Sequence, residues 1–438
     1  MKKLNKIFTF MTRTFADSFY GFVYENDNLT KKDKLLMQDH FDCESKNCVF
    51  VQRFESEFSK LIGEGVCISY AAARMAFYDL LTILNIGPGD EIILLGSTCA
   101  AMPSAVLRRG ATPIYTDIDR DTLGSDPGDI VRKITSKTKV IVAQHSFGIP
   151  CKIEEIKKIA NKNDIFLLED CALCLGSSVN NQFVGNFGDA SIFSTDHSKP
   201  LSTLIGGMIY TKNTLLAERL TKSRDTYPDF SKAKKEAIYN QIIYESHYCN
   251  PKKFGKKFLL DYLSILYRQF RNIPSPFIVD NRCYISRHDF EPYPAKMPSL
   301  VAILGLIKIK NWEATKLERM SALKVFLDFS VRHKLAIPKA YLNKRLGIIP
   351  LRFVWLDDRS ESIRTRAAKF LDVAGIWFMK PIIATQFKMD SFRYKNKSCR
   401  VSEMTGRNII NIPSNLPMPE FIDLLARVDH LLACIKLK

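Results

Sequence analysis

The sequence lacks an uninterrupted apolar run of about 18 residues, the length that a helix needs to cross a lipid bilayer. The opening residues MKKLNKIFTF are soon followed by Arg13 and Asp17, and not by an apolar core with a cleavage site of small residues. We therefore expect an unprocessed cytoplasmic protein.

Cysteines with the spacing of a disulfide framework or a zinc site are also missing. The 11 cysteines are an odd number and lie in apolar surroundings such as Gly65–Ile68, which is typical of reduced structural thiols. Cys171 and Cys174 form one C-x-x-C pair, but no second pair and no suitably spaced histidine accompany it. The sequence therefore predicts no metal site.

Acidic residues are scarce relative to basic ones, since 46 Asp and Glu stand against 64 Lys and Arg and leave a net charge of +18. This excess favours anionic partners such as phosphorylated metabolites, nucleic acid or an acidic membrane surface. Because no repeat, low-complexity tract or RNA-binding motif is present, we expect no nucleic-acid partner. The 438 residues, 46% of them hydrophobic, suffice for a large two-lobed enzyme.

Short apolar runs of β type alternate with helical patterns in the first half of the chain. Apolar side chains at helical spacing predict a helix over Ala71–Leu84, closed by Gly87-Pro88-Gly89-Asp90. The β-type runs are Glu91–Leu95, Thr112–Thr116, Lys139–Gln144, Ile165–Glu169, Ala190–Phe193 and Gly207–Tyr210. This alternation predicts an α/β fold in which helices cover both faces of a mostly parallel sheet.

Changes of pattern divide the chain into four expected parts. These are an N-terminal segment (1–53), a large domain (54–221), an insertion (222–290), and an interface helix with a smaller C-terminal α+β domain (291–438). A short strand is predicted at Leu351–Leu356 in the last part.

The insertion contains a basic amphipathic helix candidate at Lys252–Arg271, KKFGKKFLLDYLSILYRQFR. Such a helix can lie on an anionic membrane or dock a partner. The alternative is an ordinary packed helix with a solvated basic face. We keep peripheral membrane contact through 252–271 as one expectation.

Polar residues follow three of the predicted strands. Glu169-Asp170 comes after one strand, His145 after another, and Ser194 to Lys199 after a third. Because open α/β sheets bind ligands at the carboxyl ends of their strands, we expect these side chains to converge on one cleft.

A lysine, an aspartate and a hydroxyl at one sheet edge suit pyridoxal 5′-phosphate. A lysine amine forms a Schiff base with this cofactor, an aspartate pairs with its ring nitrogen, and hydroxyls with helix-start amides hold its phosphate. Singly, a lysine after a strand is usually a surface residue, and an aspartate there is usually a cap. The cofactor site is favoured because the lysine, the aspartate and the hydroxyl occur together, each after a predicted strand.

The stretch Phe54–Asn213 resembles the sugar aminotransferases of the DegT/DnrJ/EryC1/StrS family, which are fold type I pyridoxal phosphate enzymes. Weaker similarity recurs at Tyr293–Gly305 and Asn408–Pro413. The matching blocks are Phe54-Glu55, Ile86–Glu91, Gly110–Pro113, Asp117–Asp119, Thr135–Ala143, His145 with Gly148 and Pro150, Glu169–Ala172, Gly185–Asp189, Phe193-Ser194 with Lys199, and Gly206-Gly207.

The resemblance implies a role for each matching residue. Lys199 would be the Schiff-base lysine and Asp170 the partner of the ring nitrogen, so these two are the expected catalytic residues. Ser194 and the backbone at Ala73-Arg74 would contact the phosphate. His145 would line the substrate cleft.

The sequence departs from the family pattern at several cofactor positions. Cys99 stands where the family usually has an aromatic ring on the cofactor, and Leu173 stands where it has Gln or His. Ala73-Arg74 replaces Gly-Thr, and in Tyr293–Met297 the usual Asn is absent while Lys296 replaces Arg. We expect a loss of about 1–3 kcal/mol of cofactor affinity, partly restored by Arg74 or Lys296 near the phosphate.

The resemblance implies an aminotransferase that moves an amino group from an amino acid, such as glutamate, to a nucleotide-linked keto-sugar. The expected setting is the biosynthesis of surface polysaccharide or secondary-metabolite sugars, and a homodimer with Lys296 reaching across the interface. A sugar dehydratase is one alternative, although Lys rather than His at position 199 favours transamination. A weak or inactive, membrane-associated scaffold is the other.

Overall fold

The structure of the chain is a computed structural model that describes residues 18–24, 29–41, 43, 48–278, 282–283 and 291–436. Its strands in chain order are β1 (Val66–Tyr70), β2 (Glu91–Leu95), β3 (Thr98–Cys99), β4 (Thr112–Thr116), β5 (Thr138–Gln144), β6 (Phe166–Asp170), β7 (Ser178–Val179), β8 (Gln182–Phe183), β9 (Ala190–Ser194), β10 (Gly207–Thr211), β11 (Leu346–Gly347), β12 (Arg352–Leu356), β13 (Ile382–Ile383) and β14 (Ile409–Pro413).

The α-helices of the same residues follow in chain order. They are α1 (Lys31–Asp39), α2 (Val49–Lys60), α3 (Ala73–Ile83), α4 (Ala101–Arg108), α5 (Pro127–Lys133), α6 (Ile153–Lys162), α7 (Thr214–Asp225), α8 (Lys232–Tyr248), α9 (Pro251–Arg271), α10 (Ser299–Lys310), α11 (Trp312–His333), α12 (Ser360–Ala367), α13 (Arg400–Asn408) and α14 (Met418–Lys436).

A seven-stranded sheet with the order β1-β10-β9-β6-β5-β2-β4 forms the centre of the large lobe. Strand β10 runs antiparallel to β1 and β9, and the other pairings are parallel. The β-type runs predicted from the sequence all form strands of this sheet. The predicted α/β class with a mostly parallel sheet is therefore confirmed.

Helices cover both faces of the sheet because its strands are apolar on both sides. In β2, Ile92 and Leu94 join the core beneath α3 and α4, while Ile93 points to the opposite face. That opposite face packs against Ile130 of α5 and Ile156 of α6. Because successive side chains of a strand point to opposite faces of the sheet, each strand contributes to two separate cores.

A smaller α+β lobe is built around the antiparallel pair β12 and β14. The ring of Phe326 from α11 stacks on Phe353 with centroids 4.7 Å apart, and Phe421 from α14 lies 5.1 Å from Phe353. The strand expected at Leu351–Leu356 is present as β12. Large aromatic side chains therefore form the core of this lobe.

The expected boundaries between the four parts stay a prediction. Helix α2 runs through position 53 and α7 through position 221, and Tyr20 of the N-terminal segment lies in the core of the small lobe. The basic segment does form a helix, α9, as its pattern indicates. None of the helices among the described residues is long and apolar enough to span a membrane.

Candidate active site

Asp170 and Ser194 end two adjacent parallel strands, β6 and β9, in which Asp170 is paired with Ile192. The Asp170 side chain is buried, and its Oδ1 accepts a hydrogen bond from the Ala172 amide at 3.0 Å. Burial raises the pKa of Asp170, although Lys199 and His145 act in the opposite direction. The sheet edge therefore holds a desolvated carboxyl group beside a cation.

Lys199 lies in the turn that joins β9 to β10, where its amide donates to the Asp196 carbonyl at 3.2 Å. Burial lowers the pKa of the Lys199 amine, while Cys99, Asp196 and Asp170 oppose that shift. Among the described residues, Lys199 and Asp170 are near enough for their charges to interact but form no direct ion pair.

An indole side chain from the small lobe completes this part of the site. Lys199 Nζ lies 5.0 Å from the ring centroid of Trp377, and the guanidinium carbon of Arg352 lies 3.7 Å from the same centroid. Arg352 is buried and also donates to Asn411 Oδ1 at 3.1 Å. Burial lowers the pKa of Arg352, and its charge in turn disfavours protonation of Lys199.

Cys99 and Leu173 depart from the family pattern near the expected position of the cofactor ring, and the two side chains differ in burial. Cys99 ends β3, which pairs in parallel with β13, and it is partly exposed close enough to Lys199 to influence its pKa. Leu173 is buried in an apolar cluster that includes Phe147 and Phe378. Neither side chain places an aromatic ring at the lysine, whereas Trp377 does.

Helix α3 begins at Ala73, directly beside the strand that follows Lys199. Its N-cap residue, Ala72, has no side chain that could accept from the first amides of the helix. A Cβ added to Gly207 would collide with the Ala73 nitrogen, so β10 passes against the helix start. Because Gly207 is paired with Ser194, the hydroxyl of Ser194 and the first turn of α3 lie in one region.

The segment Tyr293–Met297 packs on the start of α3 of its own chain. Tyr293 Oη donates to the Arg74 carbonyl at 3.2 Å, and the Ala71 amide donates to the Ala295 carbonyl at 3.0 Å. Lys296 Nζ lies 3.6 Å from Asp229 Oδ2. A contact of Lys296 with a cofactor across a dimer interface stays a prediction.

His145 is completely buried behind Asp170. Its Nε2 lies 3.2 Å from Glu169 Oε2, and its Nδ1 accepts from the Cys151 amide at 3.0 Å. Glu169, His145 and Cys171 place three potential metal ligands close together, but Glu169 also accepts from the backbone amides of residues 185, 187 and 188. A hydrogen bond from the His145 ring to a substrate would require one of these internal bonds to break.

Comparison with known proteins shows that the sheet edge with Asp170 and Lys199 lies in a part of the chain that matches a known family. Residues 43–257 match the model of the DegT/DnrJ/EryC1/StrS aminotransferase family. This part of the chain belongs to that family. The resemblance seen in the sequence is therefore confirmed.

Curated relatives of this DegT family region match it over part of their length. GDP-perosamine synthase of Escherichia coli O157:H7 is 35% identical over 194 residues, which are 44% of this chain and 53% of that protein. The spore coat polysaccharide biosynthesis protein SpsC of Bacillus subtilis (strain 168) is 34% identical over 170 residues, which are 39% of this chain and 44% of that protein. The chain matches about half the length of these relatives.

Solved structures of DegT family members and related aminotransferases share the fold over nearly the whole chain. An aminotransferase from Psychrobacter cryohalolentis matches with a TM-score of 0.70 and 20% identity, over 94% of this chain and 100% of that one. The Helicobacter pylori aminotransferase PseC, involved in the biosynthesis of pseudoaminic acid, matches with a TM-score of 0.67 and 18% identity, over 96% and 99%. The expected fold type I architecture is confirmed.

Two contacts that the sequence did not indicate hold the Lys199 turn of the DegT family region in place. His197 Nε2 lies 3.0 Å from Glu245 Oε1 of α8, so the insertion packs on this turn. On the other side, the buried Arg319 of α11 donates to the Pro200 carbonyl at 3.5 Å and to the Pro350 carbonyl at 2.9 Å. The position of Lys199 therefore depends on helices outside the central sheet.

A cleft of about 140 Å³ opens beside Lys199 and is bounded by the small lobe. Lys199 lines it together with Ser198 and Ser202 from the turn, and Trp312 and Arg319 from α11. The Nε of Arg319 has no hydrogen-bond partner among the residues that the structure describes. The cleft gives a small molecule access to the lysine-bearing turn.

Proposed function

We propose that the protein is a pyridoxal-phosphate-dependent aminotransferase that transfers an amino group from an amino acid, with glutamate as the proposed donor, to a nucleotide-linked keto-sugar. One observation supports this most strongly. A partly buried lysine and a buried aspartate interact electrostatically at the carboxyl edge of a fold type I sheet, within the region that matches the DegT family. That is where this cofactor chemistry requires its amine and its acid.

The donor set fits the cofactor. Pyridoxal phosphate, when bound, supplies an electron sink for the carbon that loses or gains the amino group. Lys199 would hold it covalently through Nζ, and Asp170 would keep its ring nitrogen protonated. The Ser194 hydroxyl and the uncapped amides at Ala73-Arg74 would hold the phosphate.

Lys199 would also carry the proton that moves during each half reaction. Burial keeps its pKa below the ordinary value for lysine, so a larger share of the amine is neutral near neutral pH. Arg352, which shares Trp377 with Lys199, adds to this effect. Lys199 can therefore serve as base and then as acid without leaving its turn.

Trp377 would take over part of the role of the aromatic ring that Cys99 does not supply. Its indole is the aromatic group that the structure places 5.0 Å from Lys199 Nζ. Stacking or edge contact with a bound ring contributes about 0.5–1.5 kcal/mol beyond burial. The departures at positions 73, 99 and 173 are thus compatible with an active enzyme.

The names of the relatives support the substrate class. They include a GDP-perosamine synthase, a dTDP-3-amino-3,6-dideoxy-α-D-galactopyranose transaminase of Aneurinibacillus thermoaerophilus and a UDP-N-acetyl-3-dehydro-α-D-glucosamine 3-aminotransferase of Acidithiobacillus ferrooxidans. The net charge of +18 suits such dianionic nucleotide sugars. A cytoplasmic homodimer in polysaccharide or secondary-metabolite sugar biosynthesis completes the proposal.

The decisive experiment incubates the purified protein with pyridoxal phosphate and reduces it with borohydride before peptide mapping. We expect the cofactor on Lys199, loss of the bound-cofactor absorbance in Lys199→Ala, and no change in Lys60→Ala, which removes an exposed lysine. Nitrogen-15 glutamate with a panel of nucleotide keto-sugars then tests the reaction. Nitrogen transfer supports the aminotransferase, elimination without transfer supports the dehydratase, and absence of cofactor at saturation refutes both.

A further inference from the structure

Among the residues that the structure describes, the buried contacts of helix α9 lie in its N-terminal part. Phe254 is buried and its ring stacks on Phe19 with centroids 5.9 Å apart, while the Pro251 carbonyl accepts from the Phe19 amide at 2.9 Å. Lys257, one turn further along, is still buried. Beyond this point the described side chains of the helix are exposed or half-buried.

This part of the helix carries large apolar side chains in contact with solvent. Phe270 is 84% exposed, and Tyr262 and Leu263 are each more than half exposed. Five exposed residues follow the i, i+3, i+4, i+7, i+11 spacing of one helix face, and we name them the apolar stripe: Leu259, Tyr262, Leu263, Leu266 and Phe270. A contiguous stripe of this kind marks an interaction surface rather than scattered surface residues.

Basic residues stand at both ends of the apolar stripe. The exposed Lys252 and Lys256 precede Leu259 by seven and three positions, so they continue the same face toward the N-terminus. Arg268 and Arg271 lie at the C-terminal end. The acidic residue of the helix, Asp261, is paired with Lys257 at 2.8 Å. The surface around the stripe is therefore cationic.

We propose that α9 docks on an anionic lipid surface, with the apolar stripe in the headgroup boundary and the flanking cations on lipid phosphates. Residues 259–271 extend about 20 Å at 1.5 Å per residue, too short to cross a hydrocarbon core of about 30 Å. The helix thus lies in the interface. The ring of Tyr262 suits that depth because one end of it is apolar and the other polar.

A second copy of the chain fits this face less well. Pairing two stripes in an antiparallel manner would bring Lys252 and Lys256 of one copy beside Arg268 and Arg271 of the other, and parallel pairing would bring like ends together. Either arrangement places cation against cation, which is unfavourable. A bilayer of anionic lipids instead supplies the complementary charge.

Flotation of the full-length protein with vesicles tests the proposal. We expect it to float with phosphatidylcholine vesicles that contain 30% phosphatidylglycerol, and to bind poorly to pure phosphatidylcholine. Leu263→Glu with Leu266→Glu should abolish flotation, whereas the matched control Leu215→Glu, at an exposed site on α7, should not. Lys252→Gln with Lys256→Gln should weaken binding roughly 30-fold.

Three results would overturn the proposal. They are equal binding to neutral and anionic vesicles, flotation that survives both glutamates, and loss of an oligomer in sedimentation when the stripe is changed without lipid. The last result would assign the stripe to a second copy. Flotation needs neither cofactor nor substrate, so its outcome is independent of the proposed enzymatic function.

Discussion

Asp170→Asn tests the arrangement of the active-site edge with little disturbance of the fold. Asparagine has the same size and retains an oxygen that can accept from the Ala172 amide, now 3.0 Å away. Only the charge is removed. Asp170 has no cation within ion-pair distance among the described residues, and we propose that its carboxylate pairs with the ring nitrogen of the bound cofactor.

The expected size of the effect follows from burial. A hydrogen bond to a charged group in a desolvated site contributes about 1.5–3 kcal/mol. Its loss should raise the dissociation constant of pyridoxal phosphate roughly 10- to 150-fold. Asp170 also raises the pKa of Lys199, so that pKa should fall further in the variant.

Titration of the apoprotein with pyridoxal phosphate, followed by the absorbance of the bound cofactor across a pH series, measures both quantities. The matched control is Asp189→Asn, because Asp189 also accepts from a backbone amide, that of Leu167, but lies at the opposite end of β9. The control should bind like wild type. Tight cofactor binding and an unchanged Lys199 pKa in Asp170→Asn would show that the carboxylate does not face the ring.

Three further predictions concern residues around the same turn. Trp377→Leu should weaken cofactor binding about tenfold and Trp377→Phe should weaken it less, because leucine removes the whole aromatic face and phenylalanine removes only part of it. The same titration measures both dissociation constants, and equal dissociation constants for the two variants would contradict the role of the indole. Borohydride trapping of the cofactor on Lys199 should reach its midpoint below the ordinary lysine pKa of 10.5, because burial lowers the pKa of this amine, and a midpoint at the ordinary value would contradict it. Burial alone would lower the pKa of His197, but Glu245 raises this pKa above its ordinary value of 6.5. The pair therefore stabilises the fold fully below pH 6.5, and this stabilisation is lost as the pH rises through the folded-state pKa. The urea stability lost in Glu245→Gln should therefore be larger near pH 6 than near pH 9, and a pH-independent difference would refute the ion pair.

The local features of the fold could be predicted from the sequence because each depends on neighbours in the chain. The strands are apolar runs, and the residues that follow them, such as Asp170 and Ser194, are placed at the edge by the parallel order alone. The helical spacing of 252–271 likewise identified α9. For the same reason, short sequence blocks in a fixed order sufficed to indicate the resemblance to sugar aminotransferases.

The contacts that complete the site could not be predicted, because they join distant parts of the chain. Trp377 and Arg352 reach Lys199 from the small lobe, and no local pattern distinguishes them from other core aromatics or surface arginines. The pairing of His197 with Glu245 depends on how the insertion folds back. The Arg319 bonds to two carbonyls depend on where α11 crosses the turn.

The attachment of α8 to the lysine-bearing turn has a consequence for engineering. Trimming 222–290 to shorten the chain would remove both Glu245, which pairs with His197, and Phe277, whose ring packs on it, so His197 would lose its carboxylate partner and its aromatic contact. The Lys199 turn, two positions later, would keep the Arg319 bond and lose the other of its two supporting contacts. Truncation at this point would thus disturb the Lys199 turn from outside the sheet, and a graft of the central sheet onto another scaffold has to carry α8 with it.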